Sequence, residues 1–198
     1  MKKKKNMKIA VLTIGRMKDL IVRFLENDKS VSEIKVYTDE DDFKPTDEYL
    51  IISTGNMKLR REVWEKYKEH SFINIVQTST PPEKIGKGNF IFPSVFCDWF
   101  TEIGDNNIIS AGTIISHHCK IGNSILFGPG CLLSGSVTIG NNCTFGSGVI
   151  FQPYVNIADN TTIPSGCVVV GNVEGAIIAK KRGSIYTGEY LHSSHNLT

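Results

Sequence analysis

Every sixth residue from Ile85 to Val169 is apolar, and the register never slips: Ile91, Cys97, Ile103, Ile109, Ile115, Ile121, Phe127, Leu133, Ile139, Phe145, Phe151, Ile157 and Ile163 lie between. The residue after each is often small, as at Gly86, Gly104, Ser110, Ser116, Gly122, Gly128, Ser134, Gly140, Gly146 and Ala158. Four residues after each comes a small or β-branched side chain, such as Val95, Thr113, Val137, Val149, Val155 or Thr161. A six-residue period fits neither a helix nor an ordinary hairpin sheet. It is the signature of a hexapeptide β-helix, in which each repeat forms one short face of a coil. Three faces close a coil of about eighteen residues, so the stretch holds roughly five coils. Large apolar residues fill the interior, and small ones allow tight corners.

The same register disposes of the cysteines. Cys97 takes a main apolar position, while Cys119, Cys131, Cys143 and Cys167 take the position four residues later, so all five point inward. They read as small buried hydrophobes in a reducing compartment rather than as a redox pair, metal site or nucleophile. His117 and His118 follow Ile115-Ser116 and belong at or near a corner, whereas His70, His192 and His195 fall outside the coils. An imidazole at an exposed corner suits general-base work near neutral pH. A surface pair without any role is the plain alternative. Zinc would need a third ligand at a matching corner. Adjacent residues project differently, and Trp99, Gly135 and Pro153, stacked with His117 at whole-coil spacing, offer none. No metal is expected.

Upstream the grammar differs. Ile9 to Thr13 reads as a strand ending at Gly15, and Met17, Leu20, Ile21, Phe24 and Leu25 then recur at helical spacing. Ile34 to Thr38 and Tyr49 to Thr54 read as further strands, the latter ending at Gly55-Asn56. A charged helix with Leu59, Val63, Trp64 and Tyr67 on one face follows, then a fourth strand from Phe72 to Val76. This alternation predicts a small parallel sheet of the nucleotide-binding kind. Such sheets bind ligands at their strand ends, which brings forward Gly55, Asn56 and, one turn into the helix, Arg60. A plain turn for Gly55 and a solvated helix face for Arg60 are the bland readings. Thr78 to Pro82 breaks the pattern. The expected division is a Rossmann-like domain at residues 7–80, a β-helix at 83–172 and a tail at 173–198.

Composition narrows the function. The net charge of +2 owes much to Lys2–Lys5, which leaves the body near neutral and gives a nucleic-acid or membrane-surface role no electrostatic support. The apolar run Ile9 to Ile14 is too short for a signal-peptide core, and no segment has the length of a membrane span. A cytoplasmic location is expected.

Four stretches carry a family likeness: IISTGNMKLRRE at residues 51–62, FPSVF at 92–96, IISHHCKIG at 114–122 and SVTIGNNCTFG at 136–146. With the two-part organisation they make the chain resemble, from Lys8 to about Asn172, the bacterial nucleotide-sugar N-acetyltransferases of the PglD type. The resemblance implies that the β-helix is left-handed and forms a homotrimer, with active sites between subunits and acetyl-CoA lying along the coils. It implies transfer of acetyl to the amino group of a nucleotide-diphosphate sugar, at C4 of a dideoxy sugar. The family's catalytic histidine falls on His117, and its oxyanion-binding backbone N–H falls on Gly135. Gly135 stands one full coil after His117, so spacing and resemblance agree. Co-substrate contacts are expected at Gly146, Ser147 and Ser165 and at the basic Lys180 and Lys181, the latter two beside the CoA phosphates. The nucleotide sugar is expected at Gly15, Arg16, Gly55, Asn56, Arg60 and His118. The family's Asp-Asp pair fits Asp39-Glu40 or Asp41-Asp42 equally, so Asp39 and Asp41 both stand.

Three departures stand out. The family's glycine-rich first turn is reduced to Thr13-Ile14-Gly15-Arg16, which is no standard dinucleotide fingerprint. His118 replaces the carboxylate that follows the catalytic histidine, a device that sets the tautomer and raises basicity. A second family histidine corresponds to Leu126. They keep two rivals in view, an O-acetyltransferase and a non-catalytic trimeric nucleotide-sugar-binding module.

Overall fold

The computed structural model describes residues 6–13, 17–38, 43–44, 48–78, 80–174 and 184–185. The apolar run near the N-terminus becomes the central strand β1 (Met7–Thr13), buried from Ile9 onward. It pairs in parallel with β2 (Val31–Tyr37) and β3 (Tyr49–Ser53), in the order β2-β1-β3. Burial on both faces explains why β1 shows a continuous apolar run rather than alternation. Ala10 and Leu12 pack against α2 (Met57–Tyr67) through Val63, Trp64 and Tyr67. Ile9 and Val11 face the other way, onto Ile21 and Leu25 of α1 (Lys18–Glu26).

The expected fourth strand divides. Phe72 makes only an isolated bridge to Leu50, whereas β4 (Ile75–Val76) pairs with Phe90–Ile91 of the coil. The hand-over is visible in the main chain: Ile73 N–H still donates to Leu50 O at the sheet edge (3.0 Å), but Ile75 N–H donates to Asn89 O (2.9 Å). Among the described residues the sheet therefore stops at three strands with two helices, a small α/β unit rather than the fuller Rossmann-like unit expected. The first coil strand also precedes the breaker at Thr78–Pro82.

The coil is built from two-residue strands stacked in three parallel sheets, interior strands pairing with those eighteen residues before and after them, as Ile114 does with Phe96 and Leu132. This hexapeptide coil is the left-handed β-helix that the resemblance implies. One face turns Lys84, Glu102, Lys120, Thr138 and Asn156 outward. On the second face the outward Phe90 and Ile108 are buried, Phe90 within the cluster of Ile9, Val11 and Leu25. Burying such a side chain contributes roughly 1.5–3 kcal/mol. The third face turns Phe96, Ile114, Leu132, Ile150 and Val168 outward.

Each corner turns through one residue with φ between +57° and +73°, and these recur every six residues from Gly88 to Gly166. The corners differ in what fills that position. One carries Asn106, Ser124, Asn142 and Asn160, another Gly112, Gly130, Gly148 and Gly166, and the third Phe100, His118, Ser136 and Tyr154. All five cysteines are free and lie inside the coil, as the register requires.

The α/β unit and the coil are joined through Arg60. This residue is 0% exposed, and its guanidinium donates to Ile52 O, to Gly88 O (2.8 Å) and to Asn106 O (3.3 Å). Burial lowers its pKa to about 9, which still leaves a cation at neutral pH. Next to it Trp64 covers Gly88, where an added Cβ would lie 2.7 Å from the indole.

Two outcomes follow from this packing. Arg60→Met strands three buried carbonyls and should cost about 3–5 kcal/mol in equilibrium urea unfolding; an unchanged midpoint would show that the contact contributes nothing. Burial pushes the Cys97 thiol up to about 12 and that of Cys131 to about 11, so the reactive thiolates are scarce at pH 8. A disulfide dye should label none of the five in the native protein and all five after denaturation.

Candidate active site at one corner of the coil

The corner Ser116-His117-His118 is pinned from both sides. His118 N–H donates to Trp99 O of the coil before (3.0 Å), and Ser136 N–H of the coil after donates to His117 O (2.9 Å). Both histidine side chains are exposed. The left-handed backbone at His118 (φ +60°) turns its ring toward that of its neighbour. The two Nδ1 atoms lie 3.0 Å apart and the rings stand at 85°. Here the expectation that adjacent residues project differently gives way to backbone conformation. His118 also stacks on Phe100, the same corner position one coil earlier, with ring centroids 4.7 Å apart.

The His117 ring rests over Gly135. A Cβ on Gly135 would lie 2.6 Å from Cε1 and 2.8 Å from Nε2 of the imidazole, so any side chain there displaces the ring. Among the described residues the Gly135 N–H has no protein acceptor. A basic nitrogen and an unused main-chain donor thus share one corner, the two components that acyl transfer to an amine or hydroxyl requires.

Gly146, Ser147 and Ser165 gather at the neighbouring corner. Gly146 is a packing requirement, since an added Cβ would lie 2.3 Å from Ser165 N, and Ser147 N–H donates to Ser165 Oγ (3.0 Å). Beside them Gly130, Gly148 and Gly166 point into open space, with nothing within 4 Å of an added Cβ. Between this corner and that of His117 runs the third face, on which Phe96 and Ile114 are each 43% exposed.

The other candidate positions lie apart. Gly55 and Asn56 are exposed at the end of β3, where Asn56 Oδ1 caps α2 by accepting Leu59 N–H (3.2 Å). Arg60 is one turn into α2 as expected, but that side of the helix packs on the coil. Its donors meet carbonyls, and the expected contact with a nucleotide is set aside. Gly15, Arg16, Asp39, Asp41, Lys180 and Lys181 lie outside the described residues. Among the described residues, no three His, Cys, Asp or Glu side chains converge on a metal-sized site, and no helix is long and apolar enough to cross a membrane.

Two residues at these places carry no expectation from the sequence. Phe100 under His118 was within reach of the eighteen-residue spacing that picked out Gly135, and Trp99 at the same corner, weighed there only as a zinc ligand, is 78% exposed. Ser53, whose buried Oγ has no partner among the described residues and whose O accepts from the Thr13 hydroxyl (3.1 Å), carried no signal.

Residues 118–153 match the bacterial transferase hexapeptide family, a pattern of six repeats. No curated relative matches the chain in sequence. Among solved structures, the acetyltransferase domain of PglB from Neisseria gonorrhoeae superposes with a TM-score of 0.77 at 18% identity, over 85% of this chain and 94% of that one. PerB from Caulobacter crescentus, solved with CoA and GDP-perosamine, gives 0.71 at 21% identity, over 84% and 90%. The chain shares their fold. WeeI from Acinetobacter baumannii is more distant, with a TM-score of 0.59 at 16% identity over 87% and 97%. The matched hexapeptide coil begins at His118, directly after the candidate base.

Because the atoms nearest Gly135 belong to an exposed side chain rather than to backbone, Gly135→Ala should move the imidazole without dismantling the coil. The His117 Cε1–H resonance should shift while the thermal midpoint stays within about 2 °C of wild type. An unmoved resonance would mean that the ring does not rest on Gly135.

Proposed function

We propose that this protein is an acetyl-CoA-dependent N-acetyltransferase acting on a nucleotide-diphosphate amino sugar, a 4-amino-4,6-dideoxy sugar, with His117 as general base. The observation that carries the reading is the His117 imidazole held over Gly135, whose N–H has no acceptor among the described residues. The fold shared with a PglB acetyltransferase domain and with PerB, whose structure holds CoA and GDP-perosamine, supports the substrate class.

His117 Nε2 takes a proton from the neutral attacking amine as the C–N bond to the thioester carbonyl forms. The carbonyl oxygen gains the negative charge, and the Gly135 N–H stabilises it; such a donor contributes about 10²–10³ in rate. Collapse re-forms the carbonyl and breaks the C–S bond, and the His117 imidazolium returns its proton to the departing thiolate. The glycine corner suits an extended co-substrate, because Gly130, Gly148 and Gly166 leave a clear track beside Gly146, Ser147 and Ser165. Lys180 and Lys181 are proposed for the CoA phosphates. The nucleotide is assigned to residues 7–80, at Gly55 and Asn56 by the N-terminus of α2 with Gly15, Arg16 and Asp39 or Asp41. Transfer is assigned to residues 83–172.

The apolar third face supports a homotrimer with sites between subunits, since a second copy laid on it would border both functional corners. The buried free thiols suit a cytoplasmic setting.

Thiol release from acetyl-CoA, measured with UDP-, dTDP- and GDP-linked 4-amino sugars, tests the reaction. Release should require the amine and fall about 10²–10⁴-fold in His117→Ala. Release with the 4-hydroxy sugar alone would mean O-acetylation. No release beside tight nucleotide-sugar binding would leave a binding module. Light scattering should give a trimer, and Ile114→Glu on the exposed face should reduce the mass to that of one chain; an unchanged mass would place the interface elsewhere.

A further inference from the structure

We infer that His118 is the positioning residue for His117, an imidazole occupying the place of an orienting carboxylate. This rests on the reaction proposed above. The Nδ1 atoms of the two rings are 3.0 Å apart, so a single proton occupies the gap and one ring donates while the other accepts. When His117 carries it, His117 Nε2 is bare and stands over Gly135 as the base requires. When His118 carries it, His117 Nε2 is protonated and cannot accept from an amine. His118 is exposed, so in the first arrangement its own Nε2–H is hydrated at no cost.

Three restraints make His118 a fixed acceptor rather than a mobile surface ring. Its backbone is held left-handed at φ +60°, its N–H is bonded to Trp99 O (3.0 Å), and its ring lies on Phe100 at 4.7 Å. A neutral ring in this role aligns the base without placing a negative charge beside the imidazolium that forms. Orientation is thereby separated from electrostatic support, which a carboxylate would combine.

The backbone supplies suitable variants. Glycine occupies the equivalent left-handed position at Gly112 and Gly130, and asparagine does so at Asn106, Asn142 and Asn160. His118→Gly removes the acceptor and His118→Asn replaces it with an amide oxygen, each residue type already holding this left-handed conformation at the other two corners. Two-bond ¹H–¹⁵N NMR at pH 8, on protein without substrate, should find wild-type His117 in the Nδ1–H tautomer. That population should persist in His118→Asn and become mixed in His118→Gly. In the thiol-release assay His118→Gly should lose about 10–100-fold in kcat. KM for the nucleotide sugar should stay within about threefold, and His118→Asn should recover most of the loss. An Nε2–H tautomer of His117 in wild type, a tautomer indifferent to His118→Gly, or an Asn variant no better than the Gly variant would each overturn the inference. The NMR arm reads the pair without turnover. If wild type releases no thiol while the tautomer follows His118, the proposed reaction fails and the positioning stands.

Discussion

Main-chain pairing between successive coils is the interaction on which the rest of this molecule depends. Each coil gives its N–H groups to carbonyls of the next, as Ser116 does to Leu133, Lys120 to Val137 and Leu132 to Val149. Because the strands between the first and last coils are bonded on both sides, no residue there can slide without stranding buried polar groups. The result is a fixed vertical order at each corner: Trp99 below His117, Gly135 above. The candidate site is therefore built on a lattice of backbone bonds rather than on loop conformation, which suits a task requiring atoms placed within about 0.5 Å.

The α/β unit uses this lattice as a wall. Its sheet is too small to bury both of its own faces with two helices, and Phe90 of the coil completes the layer over Ile9 and Val11. Arg60 meets the desolvation of its charge with the dipoles of three carbonyls drawn from β3 and two coil corners. A carboxylate partner is not needed at a place where corners already present outward oxygen atoms. This docking occupies one face of the prism, the charged face meets water, and the apolar face is the one proposed to meet a second copy.

Much of the coil was legible because its period is a one-dimensional signal. The interior positions, the burial of Cys97, Cys119, Cys131, Cys143 and Cys167, and the stacking of His117 with Gly135 follow from counting. Counting assigns a face and says nothing about a partner. Phe72 to Val76 has a strand's composition, but its pairing with the coil rather than with β1 or β3 is decided by where the chain can reach. Arg60 looked like a solvent or ligand contact because its acceptors lie 8, 28 and 46 residues away in sequence. The meeting of His117 and His118 was hidden for another reason: a left-handed backbone angle redirects a side chain, and the identity of His118 does not announce that angle.

The coil's regularity also governs how a chain of this kind can change in length. One inserted residue throws every later apolar side chain out of the interior. Six inserted residues preserve the interior but carry everything beyond them around by a third of a turn, so that a histidine corner would sit above a glycine corner. Only steps of eighteen restore the columns. Between His117 and Gly135 even that step would part the imidazole from the glycine on which it rests. Growth by whole storeys leaves this contact intact only in the segments above and below it.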